Sequence, residues 1–329
     1  MKAVIWSHYG PPEVLHLEDI ARPVPGDTEV LVRTRAANVF AGDCELRRFQ
    51  LNALYWLPIR LLIGIRRPRP RYRVLGQEFA GDVVAVGSKV SDFAVGDAVY
   101  GPLGLGGAYA EYLTAGTRCL GRKPATVSYE EASVLSVGGL NALHFLRVAG
   151  ITPDQPPKKI LLNGAAGSIG TVALQLAKLA GADVTVVDST HKLNALRELG
   201  ADRLIDYTRE DFTASGETYD VIIDIVGRCR YFPTLRCLKP GGMLVLGNPP
   251  VRHILLRWWS ALFSRHKVRI ALAGYAQNDL DHLTRLLATG RLKAVIDRRF
   301  RLEAVVEAHR YVESGQRIGN VVLTLGEDH

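Results

Sequence analysis

Lys159–Asp188 reads KILLNGAAGSIGTVALQLAKLAGADVTVVD. An apolar run, Ile160–Leu162, meets a turn of small residues, Asn163-Gly164-Ala165-Ala166-Gly167-Ser168-Ile169-Gly170. A helix-like pattern follows, and a second apolar run, Val184–Val187, ends in Asp188. The order is strand, turn, helix, strand, acidic residue, which is the layout of a dinucleotide-binding unit. Small residues let the backbone approach a pyrophosphate. The first turn of the next helix offers it free N–H groups and the positive end of a dipole. The turn reads AxGxxG rather than GxGxxG, because Ala165 stands where the first glycine is usual. A glycine motif alone says little; this one sits inside a full strand–helix–strand unit. The alternative is a tight turn that only packs a helix on a sheet.

The chain has 329 residues, 47% of them apolar and 22% charged, which suits a globular protein with two cores. Its net charge of +8 fits an anionic partner or simply a solvated surface. Cys44, Cys119, Cys229 and Cys237 form no CxxC pair, so no disulfide framework or metal cluster is implied and a reducing cytoplasm is expected. The start, MKAVIWSHYG, has no apolar core of signal-peptide length. No stretch reaches the about 18 uninterrupted apolar residues of a spanning helix.

Working outward, the first 125 or so residues read as β-rich, with short runs at Lys2–Trp6, Val30–Arg35, Gly81–Val86 and Ala98–Tyr100 broken by Pro and Gly. From Ser128 the texture turns helical through EEASVLSVGGLNALHFLRVAG. Beyond Asp188, strands at Arg203–Asp206, Tyr219–Ile225 and Met243–Gly247 alternate with helices over KLNALRELGA and around FPTLRCL. Such alternation predicts right-handed crossovers and a parallel sheet covered on both faces. A strand at Val268–Gly274, a helix over Gln277–Thr289, a basic patch and a strand at Asn320–Leu325 close the chain. These last strands either complete the nucleotide sheet or return to the first domain. The fold class expected is α/β, with a β-rich domain over 1–125 completed by about 268–329 and a doubly wound domain over 126–267.

The chain resembles the medium-chain dehydrogenase/reductase superfamily, in its zinc-free, quinone-oxidoreductase-like branch. The resemblance runs through Ala21-Arg22-Pro23-Val24-Pro25, Leu75-Gly76-Gln77-Glu78-Phe79-Ala80-Gly81, Val95-Gly96-Asp97-Ala98-Val99 and Gly107-Ala108-Tyr109-Ala110-Glu111-Tyr112. It continues through Leu199-Gly200-Ala201-Asp202, Ile205-Asp206-Tyr207, Leu238-Lys239-Pro240-Gly241-Gly242 and Gly319-Asn320-Val321-Val322. It implies a GroES-like first domain, a Rossmann domain inserted into it, and an active site between them.

Catalytic zinc in that superfamily takes a Cys, a His and a Cys or carboxylate. Those positions fall on Phe40, Gln77 and the Ser136–Val137 region, and the four-cysteine lobe is replaced by PLGLGGAYAEY. Cys44 and Glu78 alone are too few for a tetrahedral site, so no zinc is expected and Glu78 reads as structural. Without a Lewis acid, plain alcohol oxidation is disfavoured. The chemistry left is hydride transfer to a quinone or an α,β-unsaturated carbonyl, with the nicotinamide carrying the reaction and the protein aligning it.

Asn141 lies where relatives have a Thr close to the nicotinamide; the alternative is a helix-surface amide. Some enoyl reductases place a catalytic Tyr eight residues after the position of Asp43, which is Leu51 here, and Tyr55 substitutes only if the insert folds back. Tyr109 reads as packing and Asp43 as bonded to backbone at a strand end, so solvent or a ribose hydroxyl is expected to protonate the product.

The residues expected to hold the cofactor are Asn163, Gly164, Ala165, Ala166, Gly167, Ser168, Ile169 and Gly170, then Asp188, Ser189, Thr190 and Lys192. Tyr207, Gly227, Gly247, Asn248 and Asn320 complete the set. Asp188 favours NADH, because a carboxylate accepts from a ribose 2′-OH and repels a 2′-phosphate. Family habit favours NADPH, and Lys192 is placed to pair with a phosphate.

Two stretches alternate apolar runs with arginine: Arg47–Arg73, and Arg252–Arg269 with Trp258 and Trp259. The preferred reading is an apolar lid over a bulky apolar substrate. The alternatives are a lipid surface, a dimer contact or plain core. A homodimer is expected, with no nucleic-acid partner and with peripheral membrane contact not favoured. Two further functions stay open, a non-catalytic dinucleotide-binding sensor or scaffold and an NAD(P)-dependent alcohol dehydrogenase.

Overall fold

The computed structural model describes residues 1–260, 266–271 and 273–326, with the side chains of residues 53 and 54 left aside. The chain divides into two compact units. One comprises Met1–Leu51, Tyr55–Val137 and Tyr275–His329, the other Asn52–Leu54 and Gly138–Gly274.

The first unit opens with β1 (Lys2–Trp6) and β2 (Leu15–Asp19), paired antiparallel in a sheet of their own. Then come β3 (Glu29–Val39), α1 (Ala41–Arg48), α2 (Ala53–Ile63), β4 (Glu78–Val86), β5 (Ala98–Pro102), β6 (Tyr112–Gly116), β7 (Gly121–Arg122) and α3 (Tyr129–Ser133). Val30, Val32 and Val39 of β3 pack with Trp6, Phe79, Val99 and Tyr109 in the main core of this unit. The stretch predicted as one helix from Ser128 is two helices. A capping box starts α3, in which Ser128 Oγ accepts from the Glu131 N–H and the Glu131 carboxylate accepts from the Ser128 N–H. The second, α4 (Ser136–Val148), carries the chain into the second unit.

The second unit continues with β8 (Lys159–Asn163), α5 (Ser168–Leu179), β9 (Asp183–Asp188), α6 (Leu193–Glu198), β10 (Arg203–Asp206) and β11 (Tyr219–Asp224). After these come α7 (Tyr231–Arg236), β12 (Leu238–Leu246), α8 (Val251–Ser260) and β13 (Lys267–Ile270). All six strands are parallel, in the order β10-β9-β8-β11-β12-β13. Strands added first on one side of β8 and then on the other, through right-handed crossovers, put helices on both faces: the doubly wound Rossmann arrangement. Burial on both faces explains why β8, β9 and β11 are continuous apolar runs rather than alternating ones. β12 starts earlier than its apolar stretch predicts, running straight through Lys239-Pro240-Gly241-Gly242 with a register irregularity against β11.

The remaining elements, α9 (Gln277–Ala288), β14 (Ile296–Arg301), α10 (Val305–Glu313) and β15 (Asn320–Thr324), return to the first unit. Its larger sheet has the order β14-β15-β3-β4-β5-β7, with β6 also on β3. The open question about the last strands therefore divides: β13 extends the nucleotide sheet, whereas β15 lies antiparallel to β3. Of the strand predicted over Val268–Gly274, residue 272 lies outside the described residues. The basic patch is an edge strand, β14, whose Arg298, Arg299 and Arg301 are of the kind that discourages pairing with another chain.

The arginine-rich stretch Arg47–Arg73 is not one insert. Arg47 and Arg48 end α1 and pair with Glu313 of α10. The apolar part is the helix α2, which exposes Trp56, Leu57, Leu61 and Leu62. In the second such stretch, α8 exposes Leu255, Trp258 and Trp259, and residues 261–265 lie outside the described residues.

Candidate functional site

The carboxyl ends of β8, β9, β10, β11 and β12 gather most of the residues expected to hold a cofactor. The strand order reverses between β8 and β11, the place in such sheets where ligands sit. Three glycines after β8 differ in what they do. Gly164 has φ +84°, and a Cβ there would lie 2.4 Å from Val226 Cγ1. A Cβ on Gly170 would lie 2.4 Å from the Ala165 carbonyl oxygen. Both are glycine because of the chain's own packing. Gly167, with φ −81° and ψ 177°, is in a conformation any residue adopts. A Cβ there would meet only Gly164 O, at 3.9 Å. The space in front of the turn is therefore open at Gly167, where α5 begins and its first N–H groups point out. A diphosphate fits that cradle. Another glycine, Gly138, completes it from behind: its Cβ would lie 2.9 Å from Ser168 O, so the start of α4 presses on the start of α5. Asn141, partly buried, follows one helical turn later on the same face.

Asp188 does not project outward as a ribose ligand. It is 6% exposed, accepts from the N–H of Ala166 at 2.9 Å and of Ser189 at 2.9 Å, and lies 3.4 Å from Lys192 Nζ. Its carboxylate clamps the turn after β8 onto β9 and is partly neutralised by Lys192. The exposed groups beside it are Thr190 and His191.

Two neighbours act alike and went unread in the sequence. Asp206 ends β10, accepts from the hydroxyls of Thr190 and Thr208, and is held below the usual carboxylate range by them. Asp224 ends β11, fully buried, and accepts from Asn163 Nδ2 at 2.9 Å, Gly227 N at 3.2 Å and Cys229 N at 3.0 Å. The signal was present: each is the acidic last residue of an apolar strand, as Asp188 is. Gly227, with φ +69°, leaves room for Asn248 O, which a Cβ would approach to 1.9 Å, and a Cβ on Gly247 would meet Phe145 at 2.9 Å. Tyr207 is exposed at the end of β10.

Tyr55 and Asn320 belong to the first unit. Burial raises the Tyr55 phenol above its ordinary value. Asn320 is buried at the start of β15, where Asn38 Nδ2 donates to its Oδ1 at 3.0 Å and its own amide donates to Val295 O. The same Asn38 amide donates to Glu78 at 2.9 Å, and Glu78 also accepts from Ser136 Oγ at 3.0 Å and Val137 N at 2.7 Å. Burial pushes Glu78 up to about 7 against those donors. Asp43 is likewise pushed up to about 7 by burial, while accepting from the Phe40 N–H and the Tyr109 hydroxyl. Tyr109 is fully buried.

The zinc positions of the superfamily meet in this cluster. Ser136 and Val137 close on Glu78 with hydrogen bonds, beside Gln77. Cys44 places its sulfur 3.3 Å from His309 Nδ1, and burial raises its thiol out of reach of ionisation. A carboxylate already satisfied by three donors, an amide and a phenyl ring do not make a tetrahedral zinc set. Among the described residues, no group of three or more His, Cys, Asp or Glu is arranged to hold a metal.

Two family models match the chain: "Alcohol dehydrogenase GroES-like domain" over residues 26–125 and "Zinc-binding dehydrogenase" over residues 199–323. A quinone oxidoreductase of Pseudomonas aeruginosa is 32% identical over 98% of this chain and 99% of its own length. A chloroplastic NADPH-dependent alkenal/one oxidoreductase of Arabidopsis thaliana is 30% identical over 98% of this chain and 79% of its own. The solved quinone oxidoreductase from Coxiella burnetii superposes with a TM-score of 0.88 at 29% identity, covering 99% of both chains.

Proposed function

We propose that this chain, which belongs to the medium-chain dehydrogenase/reductase superfamily in its quinone-oxidoreductase-like branch, reduces a quinone or an α,β-unsaturated carbonyl without zinc. The observation that carries the reading is the cradle at Gly167, open in front of α5 and clamped from behind by Asp188. When bound there, a nicotinamide cofactor would supply the hydride. The chain's own part is to fix the diphosphate on the N–H groups of Ser168–Gly170, to align the ring through Asn141, and to keep water from the acceptor. NADPH is the proposed cofactor. Asp188 faces the turn rather than outward, and Lys192 offsets its charge, so the group that would repel a 2′-phosphate is withdrawn. One relative is itself named NADPH-dependent. Lys192→Ala is then expected to lower kcat/KM for NADPH about tenfold or more relative to NADH, the size of one charge-assisted hydrogen bond.

Metal independence rests on Phe40, Gln77 and Ser136 at the ligand positions. The remaining parts of the reading are a bulky apolar substrate, a homodimer, and a reducing compartment such as the cytoplasm, the last supported by four free thiols. Purified enzyme should oxidise NADPH with 1,4-benzoquinone or an enal, ignore 1-butanol, and keep its rate in a strong chelator. Cofactor binding without turnover on such acceptors would make the protein a sensor, and loss of rate on chelation would restore a metal. Tyr55→Phe separates solvent from side-chain protonation. A loss under about tenfold leaves the proton to solvent, and a loss of about a hundredfold or more makes Tyr55 the donor.

A further inference from the structure

The charge of this chain is concentrated in one place. Between Glu45 and Glu78 there is no acidic residue, and there are eight arginines: Arg47, Arg48, Arg60, Arg66, Arg67, Arg69, Arg71 and Arg73. The other 33 of the chain's 41 basic residues balance its 33 acidic ones, so the net charge of +8 is the charge of this stretch. Glu313 neutralises part of it at Arg47 and Arg48, and Arg60 stacks over the rings of Tyr9 and Phe49 at 3.9 and 4.3 Å. Arg66, Arg67, Arg69 and Arg71 are exposed, and among the described residues none of them makes an ion pair.

These four follow directly on α2, whose outward face has no polar side chain. Trp56, Leu57, Pro58, Leu61 and Leu62 are exposed, the four large ones between 41 and 57%, and Ile65 beyond the helix is 64% exposed. Ile63 and Ile59 turn inward and pack on the core. The chain folds back after the helix, with Arg69 N donating to Ile63 O at 2.7 Å and Tyr9 Oη donating to Gly64 O. That brackets the arginines against the end of the apolar face. A helix of 11 residues is too short to cross a bilayer, and among the described residues no helix is long and apolar enough to do so. An apolar face edged by cations is what lies in the headgroup layer of an anionic membrane.

We propose that α2 and the arginine loop after it dock this protein on an anionic lipid surface, with Leu57, Leu61 and Trp56 in the acyl boundary and Arg66–Arg71 on headgroup phosphates. The proposal is independent of the redox reading. Sedimentation of the full chain with vesicles tests it. The chain should bind phosphatidylcholine vesicles containing phosphatidylglycerol, bind phosphatidylcholine alone far less, and release as salt rises. Arg66→Gln, Arg67→Gln, Arg69→Gln and Arg71→Gln should each weaken binding about fivefold and together more than a hundredfold. Leu57→Ser with Leu61→Ser should weaken it about tenfold or more. All should melt with the parent, because the altered side chains are on the surface. Acyl-brominated lipid should quench tryptophan emission, and Trp56→Phe should remove the quenching, a readout that needs no change at the docking leucines. Equal binding to neutral vesicles, or no quenching, overturns the proposal. So does a leucine variant that keeps its lipid affinity but turns a dimer into monomers, which would make the partner a second copy of this chain.

Discussion

Gly167 and Gly164 stand three residues apart in one turn and obey different constraints. Gly167→Leu adds a side chain to permitted backbone facing open space, so the fold should survive while the diphosphate site is filled. Gly164→Ala puts a Cβ at positive φ and against Val226, and should lower stability by about 2 kcal/mol. Cofactor titration and urea unfolding of both variants check this, with binding lost at Gly167 and stability lost at Gly164. The sequence alone marked all these glycines alike, because it lists residues and not what lies beyond a missing Cβ. Glu78 makes the second case. Its folded pKa of about 7 lies above the ordinary carboxylate value, as does that of Asp43. The folded state therefore holds protons that the unfolded chain releases, so their stabilisation is full at acid pH and is lost as pH rises through about 7. Glu78→Ala takes the acceptor from one N–H of the Asn38 amide, the hydroxyl of Ser136 and the N–H of Val137, and should cost about 3 kcal/mol or more by urea denaturation. Glu78→Gln should cost much less and flatten the decline between about pH 4 and 7, the window set by the ordinary and the folded values of these two groups. An unchanged pH slope would mean that Glu78 is ionised throughout.

At the scale of elements, α1 and α10 are joined by polar contacts inside an apolar unit. Arg47 is fully buried; it pairs with Glu313, donates to Gly10 O at 3.1 Å, and lies 3.1 Å from His309 Nδ1. Burial and the Arg47 charge hold His309 down at about 3, so it is neutral in the fold. Arg47→Met should lower stability by about 3 kcal/mol, since Glu313 loses its buried partner and a carbonyl its donor. His309→Gln should lessen the loss of stability as pH falls from about 6.5 toward 3, the window in which only the unfolded histidine takes up a proton. Thermal melts across that range check both. This joint was illegible in the sequence, where Arg47 read as the start of an insert, because His309 and Glu313 lie more than 260 residues away on a helix returning from the far end. The strands of the parallel sheet, by contrast, were legible: burial makes β8 and β9 largely apolar and they extend their predicted bounds by one residue at each end, and the short β10 matches its own. The charged edge strand β14 was not, since its exposed arginines break that pattern.

For the whole molecule, the division into two units makes ligand linkage directional. The second unit carries the whole of the proposed phosphate cradle, at the carboxyl ends of β8, β9, β10, β11 and β12. A cofactor that binds only the folded form stabilises it by about 2.7 kcal/mol at one hundred times its Kd. For a unit of this size that raises the melting midpoint by about 5–10 °C. In calorimetry, excess NADPH should move the transition that reports residues 138–274, followed by hydrogen exchange in β8 and β9, before that of β3 and β4. Gly167→Leu should melt with the parent in the absence of cofactor and show no shift in its presence. An equal shift in that variant would place the dinucleotide away from the turn after β8 and leave Lys159–Asp188 a unit that only packs a helix on a sheet.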